Sequence, residues 1–272
     1  MFYGVTTNAV QRTRGLLVTG IALLLLSSPA FAGDQDQTAN SSTQSTSAAP
    51  PPDFRLGRPR ATIGARGSML VASAKSDLFD FVTETLDIAR SDFNTGSFAA
   101  EIGYSVTPRF DILGTWDLNA ISHASDYRDW QDNRGLPIQQ TTQLKQMNVT
   151  LSGKFSLLPR GRAISRLAWI PRTFIPYVGA GGGYGRYEFR QNGDFVDFDN
   201  NNRVFSDTFT SRGWAPTFHV LGGTDIQVYR HLMLSLDARY AWQKATLSQD
   251  FIDFEPIDLG GFRFGAGVHF AF

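Results

Sequence analysis

The end of the chain alternates between apolar side chains and other residues. From Gly261 to Phe272 every second position is apolar, and these positions are Phe262, Phe264, Ala266, Val268, Phe270 and Phe272. Successive side chains of a β-strand point to opposite sides of a sheet. The segment therefore predicts a strand with one apolar face, opposite a face that carries Arg263, His269 and small residues.

The same alternation recurs upstream and predicts about eight strands, spaced as four hairpins. The predicted strands cover residues 61–73, 96–106, 110–121, 144–157, 174–190, 217–229, 232–247 and 261–272. Glycines at 179–185 leave the face assignment of the fifth strand open. They favour close strand packing over a nucleotide-binding loop, because the Lys-Ser/Thr pair of such a loop does not follow them.

Charged or hydroxyl-bearing side chains lie opposite the apolar face of each clearly alternating strand. In a soluble sandwich the apolar face would pack on a second sheet. Apolar residues opposite charges are instead typical of a barrel with lipid outside and a polar interior. The sequence therefore predicts an all-β fold, an eight-stranded antiparallel up-and-down transmembrane β-barrel.

Connection lengths alternate along the predicted barrel. Tight turns at Thr107-Pro108-Arg109 and Arg230-His231 alternate with polar connections of roughly ten to twenty residues. Short periplasmic turns and longer external loops are the rule for outer-membrane barrels. One long connection, 158–173, falls on the side of the short turns and is rich in arginine. The pattern assigns this connection no role.

The start of the chain has the organisation of a secretory signal peptide. Arg12 and Arg14 precede the apolar run from Leu16 to Leu26, and Ala30-Phe31-Ala32 follows Pro29. A charged segment, a short apolar segment and an A-x-A site are the parts that a signal peptidase requires. Residues 1–32 are therefore predicted to be removed, and the alternative is an uncleaved N-terminal anchor.

The next segment is poor in apolar bulk. Residues 33–58 are rich in Ser, Thr, Gln, Ala and Pro, a composition that cannot offset the entropy lost on ordering. We expect a disordered periplasmic linker, with a short cell-wall-binding or partner-binding segment as the alternative. The barrel domain is then predicted to cover 59–272.

Bulk composition excludes several functions. Lys and Arg total 25 and Asp and Glu total 25, so net charge gives no indication of nucleic-acid binding. The chain has no cysteine, which excludes disulfides and thiol chemistry. Its four histidines lack the close spacing of a zinc site. No metal or cofactor is therefore expected, whereas 26 glycines and 22 phenylalanines suit a narrow barrel with aromatic girdles.

The predicted inward positions carry charges of both signs. They comprise the cations Arg66, Lys154, Arg239 and Arg263 and the anions Glu101, Asp111, Asp117, Asp225 and Asp237. The interior of an eight-stranded barrel is only wide enough to be filled by side chains. We therefore expect these groups to pair in a network that closes the lumen. The alternative is a gated path for ions or protons.

The signal peptide, the amphipathic strands, the alternating connection lengths and the terminal Phe272 together resemble the small outer-membrane barrels of Gram-negative bacteria, of the OmpA, OmpX and OmpW type. The resemblance covers about residues 59–272. It implies an outer-membrane location, contact with membrane lipids and lipopolysaccharide, and a monomer. In that family the barrel assembly machinery recognises a terminal aromatic residue, and Phe270 and Phe272 match this signal.

His123 and Ser125 suggest one catalytic alternative. The pair lies just past the third predicted strand and is similar to the His-x-Ser motif of outer-membrane lipid A deacylases. A histidine and a serine two residues apart on one face of an extended chain can act as base and nucleophile. Asp126 or Asp129 would have to orient the histidine.

Two predicted loops are both acidic and apolar, at 76–93 and 249–259. Their carboxylates suit Ca²⁺ or Mg²⁺ ions that bridge to lipopolysaccharide, and the alternative is solvated loops above the bilayer. The first loop also fits a helical stripe, which consists of Leu78, Phe81, Val82, Leu86 and Ala89.

The leading hypothesis is a non-enzymatic integral outer-membrane barrel with a closed lumen and a structural or surface-interaction role. The first alternative follows from the resemblance to OmpW-type proteins and is passage of small hydrophobic molecules through the lumen or a lateral opening. The second alternative is a lipid A-modifying hydrolase that uses His123 and Ser125.

Overall fold

Antiparallel strands make up most of the described chain. The computed structural model describes residues 55–132, 134–165, 168–197 and 203–272, so the predicted signal peptide and most of the predicted linker lie outside the described residues. The strands are β1 (Arg55–Leu56), β2 (Ala61–Ala72), β3 (Thr95–Ser105), β4 (Phe110–Gln131), β5 (Pro137–Ser156), β6 (Gly161–Ala163), β7 (Ala168–Pro171), β8 (Phe174–Asp197), β9 (Arg203–Gln227), β10 (Leu232–Ala245), β11 (Ile257–Asp258) and β12 (Gly261–Ala271). A helix, α1 (Asp77–Thr85), and 3-10 turns at Arg90–Phe93 and Gln249–Phe251 lie in the connections.

Eight of these strands close into a ring by continuous antiparallel pairing. Their order is β2-β3-β4-β5-β8-β9-β10-β12, and β12 pairs back with β2 from Gly261↔Ala72 to Ala271↔Thr62. Closure pairs the backbone of every strand on both sides and leaves the ring without an edge. Such complete pairing is required in hydrocarbon, because lipid offers the backbone no hydrogen-bond partner. The predicted eight-stranded antiparallel barrel is confirmed.

The outer wall of the ring is apolar. Ile102, Leu151 and Phe218 are 65%, 61% and 61% exposed, whereas their inward neighbours, such as Glu101 and Ser152, are 4% and 2% exposed. Large exposed apolar side chains occur on all eight ring strands, although the apolar patches of soluble monomers rarely exceed a few hundred Å². The wall is therefore a lipid-facing surface. No helix in the described ranges has the length and hydropathy to cross a bilayer.

Four strands run further than the alternation predicted. β4 continues to Gln131, β5 begins at Pro137, β8 continues to Asp197 and β9 begins at Arg203. Beyond the lipid-facing belt both sides of a hairpin face water or other loops, so the apolar and polar sides are no longer distinct. Backbone pairing continues there, from Gln140↔Gly193 through Asp197↔Arg203, although the sequence signal has faded.

The glycine run lies in β8, and its spacing decides the face that the sequence left open. A Cβ at Gly185 would overlap the side-chain amides of Asn148 and Gln243, and one at Gly181 would overlap Ser152. The odd-numbered glycines therefore face the lumen. Gly181 and Gly185 make room for polar side chains of β5 and β10, which is the close approach that glycine permits.

The two ends of the barrel differ. At one end, here called the turn end, short turns join β3 to β4 and β9 to β10. There the arginine-rich connection forms β6 and β7, and β7 also pairs with β1. The other end, here called the loop end, carries α1, both 3-10 turns and the extended β4–β5 and β8–β9 hairpins. Short turns are expected on the periplasmic side.

Substitution of a wall residue tests the lipid contact. Leu151 lies near the middle of the lipid-facing part of β5, so Leu151→Arg should destabilise the barrel in vesicles by about 2–4 kcal/mol. Ile252 is 68% exposed but lies in the last connection, and Ile252→Arg should change stability by less than about 0.5 kcal/mol. Urea unfolding followed by tryptophan fluorescence measures both. Equal effects of the two substitutions would contradict a lipid-facing wall.

Candidate functional site

Glu101 is the centre of an ion-pair network inside the lumen. Its Oε1 lies 2.6 Å from Arg66 Nη1 and 2.9 Å from Arg239 Nη2, and its Oε2 lies 2.8 Å from His269 Nε2. Asp237 Oδ2 lies 3.0 Å from Arg66 Nη1 and 2.8 Å from Arg239 Nε. All five residues are buried. Each carboxylate thus faces both guanidinium groups, which is the pairing that buried charges need.

Gly64 makes the contact between Glu101 and His269 possible. Gly64 is the register partner of Glu101 on β3 and of His269 on β12. A Cβ at this position would overlap the His269 ring. The absence of a side chain on β2 therefore lets the imidazole reach across the strand to the carboxylate.

A second layer of charges lies towards the turn end. Lys154 Nζ donates to both carboxylate oxygens of Asp225, at 2.9 and 2.7 Å, and lies 3.7 Å from the centre of the Tyr177 ring. Asp111 forms an ion pair with Arg160. Arg160 also donates through Nη1 to Ser105 Oγ at 2.8 Å. This layer closes the lumen next to the turns.

Arg160 was not among the predicted lumen residues. It belongs to the arginine-rich connection after β5 rather than to a strand, so period-two alternation could not assign it a face. The sequence did indicate that a lumen cation was missing, because the predicted inward set contains five carboxylates but only four cations. The cation that was missing is the partner of Asp111.

A third layer lies towards the loop end. Arg263 Nη1 is 3.5 Å from Asp117 Oδ1, and Ser152 Oγ and His219 Nε2 are hydrogen-bonded at 2.8 Å. The Arg263 side chain is 14% exposed, whereas the other predicted lumen charges, Arg66, Glu101, Asp111, Asp117, Lys154, Asp225, Asp237 and Arg239, are buried. The structure thus brings the nine predicted residues into one lumen, in three layers.

Two small cavities lie between these layers. One cavity, bounded by Lys154, Arg160 and Asp225, has a volume of about 20 Å³. Another, bounded by Arg66, Asp117 and Arg263, has the same volume. A cavity needs roughly 10–15 Å³ to hold one water molecule. Each of these cavities therefore has room for about one water and for no larger solute.

A separate apolar cluster covers the loop end of the lumen. It joins buried residues of the first and last long connections to inward residues of the wall, and its main members are Leu78, Phe79, Val82, Leu86, Ile88, Phe93, Leu144, Tyr187, Phe189, Leu247, Phe251, Ile257 and Leu259. Phe79 packs edge-on against Phe93, with 4.7 Å between ring centres. The cluster, here called the loop cap, is a small core of its own.

Polar contacts fix the loop cap to the strands. Tyr187 Oη donates to the Thr246 carbonyl at 2.8 Å, and the Glu255 amide donates to Asp77 Oδ2 at 2.9 Å. Tyr127 packs against the cap, and its burial raises the pKa of its hydroxyl above its ordinary value. The first and last connections are thus held together as one unit.

The loop cap differs from the solvated loops and from the cation sites considered for these connections. Their apolar residues pack on one another instead of extending into water. The predicted helical stripe forms only in part, because α1 ends at Thr85, before Leu86 and Ala89, and buries Leu78 and Val82 but not Phe81. In the ranges that the structure describes, no group of three or more carboxylate or histidine side chains has the geometry of a metal site.

His123 and Ser125 lie on the loop-end part of β4. His123 Nε2 is 3.9 Å from Asp92 Oδ2, and Ser125 Oγ is buried and bonds the Gln140 carbonyl at 3.5 Å. Within the described residues, neither Asp126 nor Asp129 pairs with His123. The contacts of the two residues therefore do not form a base and nucleophile pair.

Removal of the central carboxylate tests the ion-pair network. Glu101→Ala leaves two buried guanidinium groups to share Asp237, and should destabilise the barrel by about 3–5 kcal/mol. Glu84→Ala, which removes an exposed carboxylate of α1, should change stability by less than about 0.5 kcal/mol. Urea unfolding in vesicles measures both. A loss below about 1 kcal/mol for Glu101→Ala would contradict the central role of this residue.

The loop cap can be tested by limited proteolysis. Leu78→Ala with Val82→Ala removes buried side chains, at a cost of about 2–5 kcal/mol for a large apolar residue. Trypsin should then cleave the first connection at Lys75 or Arg90 several-fold faster, because both are exposed beside the loosened helix. The barrel should keep its heat-dependent gel mobility. Unchanged cleavage, measured against Glu84→Ala as control, would contradict a packed cap.

Comparison with known proteins yields structures only. No protein-family model and no curated protein matches the chain. Neisserial surface protein A is 13% identical with a TM-score of 0.42, over 78% of this chain and 97% of that one. OprG from Pseudomonas aeruginosa is 14% identical with a TM-score of 0.46, over 80% and 99%. E. coli outer membrane protein W is 16% identical with a TM-score of 0.34, over 80% and 100%.

At these values the likeness carries no argument about function. The fold is established by the closed ring, the apolar wall and the charge-filled lumen of this chain itself. Closed barrels with an even number of antiparallel strands and a lipid-facing wall are the spanning structures of outer membranes. The chain is therefore a small, eight-stranded antiparallel β-barrel with the closed ring and apolar outer wall of a membrane-spanning barrel.

Proposed function

We propose that the chain is a closed, non-catalytic outer-membrane barrel with a structural or surface-interaction role. The observation that carries the proposal is the ion-pair network around Glu101, which fills the lumen at mid-height. The loop cap lies in series with this network, because its wall residues, Leu144, Tyr187 and Phe189, face the same lumen. The polar ion-pair network and the apolar loop cap therefore both support a barrel through which no solute passes.

The energetics of buried ion pairs support closure. A solute in the lumen would have to separate charges that are paired at 2.6–3.0 Å and shielded from water. Separation of one buried pair costs about 3–5 kcal/mol, and the paired groups are packed in layers from Asp111 to Arg263. A path through this lumen would require several pairs to break together.

The surface of the loop end supports an interaction role. Its exposed side chains include many carboxylates, among them Glu84, Asp87, Asp129, Asp207, Asp250, Asp253 and Glu255. The loop cap beneath holds the first and last connections in place. A surface that is ordered before binding loses less conformational entropy on association than a mobile loop does. The partner expected for such a surface is cationic.

Passage of small hydrophobic molecules is the alternative. The apolar residues of the loop cap favour it, because they would accept a hydrophobic solute at the mouth of the lumen. Such a solute would then have to leave the lumen on the loop-end side of the charged layers. The lipid A hydrolase hypothesis has less support, because the Ser125 hydroxyl bonds the Gln140 carbonyl and His123 faces Asp92 at 3.9 Å.

The C-terminal aromatics are consistent with a role in assembly. Phe270 and Phe272 point outward at the turn end and are 53% and 64% exposed, while the Phe272 carbonyl accepts the Arg60 and Ala61 amides at 2.9 Å. We propose that these side chains are the signal for the barrel assembly machinery, and that the assembled barrel is a monomer in contact with lipids and lipopolysaccharide.

Electrical recording tests closure. Planar bilayers containing the refolded barrel should show no conductance steps above those of protein-free bilayers, because paired side chains fill the lumen. The Leu78→Ala, Val82→Ala variant should also be silent, since the ion pairs remain below the loosened cap. Insertion is verified by heat-dependent gel mobility of protein recovered from the bilayer lipids.

Two outcomes would contradict the proposal. Stepwise currents from the wild-type barrel would show an open lumen. Faster uptake of a small hydrophobic solute by proteoliposomes than by protein-free liposomes would favour the passage alternative instead, particularly if the cap variant increased the rate further.

A further inference from the structure

The turn end of the barrel has an unusual composition. Its segments, 55–60, 106–110, 157–174 and 227–231, contain arginines but no Asp, Glu or Lys. The whole chain is nevertheless neutral, with 25 cationic and 25 anionic residues. Exposed carboxylates collect at the loop end. The positive charge of the turn end is therefore a local feature and does not reflect a basic protein.

Some of these arginines already have structural roles. Arg160 turns into the lumen and pairs with Asp111, and Arg58 donates to the Thr107 carbonyl. Five others are exposed, and we call them the arginine collar: Arg60, Arg109, Arg162, Arg172 and Arg230. Within the described residues, Arg60, Arg109, Arg162 and Arg172 form no ion pair. Their guanidinium groups have no anionic partner from these parts of the chain.

The collar is distributed around the ring. Arg60 precedes β2 and Arg109 lies in the β3–β4 turn. Arg162 lies in β6, Arg172 directly follows β7, and Arg230 lies in the β9–β10 turn. Every connection at this end thus carries an exposed arginine. A globular partner would cover one side of the barrel, whereas a lipid leaflet surrounds it completely.

Aromatic residues fix the depth of the collar. Phe110 follows Arg109 directly, Tyr229 precedes Arg230, and Phe174 lies two positions after Arg172, and all three aromatic side chains are exposed. Exposed aromatic rings at the end of a membrane strand lie at the interface with the headgroups. The arginines just beyond the rings are therefore at the level of the lipid phosphates.

Guanidinium groups match phosphate in charge and in geometry, because two parallel N–H donors can bond two phosphate oxygens. We propose that the arginine collar binds the phosphate groups of anionic phospholipids in the leaflet that surrounds the turn end. This assigns a role to the arginine-rich connection that the sequence pattern left unexplained. The collar acts outside the lumen, so it does not depend on whether the lumen conducts.

Lipid retention tests the collar. Native mass spectrometry of the barrel, released from micelles with equal phosphatidylglycerol and phosphatidylcholine, should show preferential retention of phosphatidylglycerol. The variant Arg60→Gln, Arg109→Gln, Arg162→Gln, Arg172→Gln should reduce this preference by about tenfold or more, since each arginine near an anionic lipid surface contributes about fivefold. The preference of the wild-type barrel should also fall as NaCl is raised, because salt screens exposed charges.

A matched control removes equal charge from the other end. Lys75→Gln, Lys145→Gln, Arg186→Gln, Lys244→Gln changes four exposed cations outside the turn end, and it should leave the preference unchanged. An unchanged preference in the collar variant, or an equal loss in the control, would overturn the proposal. In a second set of micelles that also contain lipid A, retention of lipid A instead of phosphatidylglycerol through the collar would also overturn it, by placing the turn end in the opposite leaflet. If the wild-type preference for phosphatidylglycerol does not change with NaCl, the proposal is also overturned. This measurement does not depend on the folding of a variant.

Discussion

Backbone pairing in hydrocarbon is the constraint on which the rest of this structure depends. A strand that crosses a bilayer must have both its edges paired, because lipid offers no hydrogen-bond partner. The ring from β2 to β12 meets this requirement by closing on itself. Once the ring is closed, each strand has one side in lipid and one in the lumen, and the period-two sequence pattern follows from that division.

The narrowness of the ring then determines its interior. With eight strands, the lumen must be filled by side chains, and here it is filled by charges that neutralise one another locally. Glu101 is shared by Arg66, Arg239 and His269, and small residues such as Gly64 provide the space for these contacts. The main apolar cluster is the loop cap, where the hairpins extend beyond the lipid-facing belt, whereas buried Leu113, Leu221 and Met233 lie among the charges nearer the turn end. The barrel therefore combines an ion-paired core within the bilayer with a mainly apolar core outside it.

The sequence predicted the parts of the structure that lipid imposes and missed those that loops impose. Faces such as Phe264 against Arg263 were readable because hydrocarbon and lumen differ sharply. The end of β4 and the start of β9 could not be predicted from the sequence, because both sides of the extended hairpins have similar surroundings. Arg160 was missed because a residue outside a strand has no periodicity. The loop cap requires contacts between residues such as Leu78 and Ile257, far apart in the chain, which local patterns cannot reveal.

The loop cap has a consequence for how the exposed end of this protein can change in evolution. The first and last connections share one set of packed rings and aliphatic side chains, so an insertion in one would leave a void or a clash in the other. Diversification there must proceed by paired substitutions or be restricted to outward-facing positions such as Glu84.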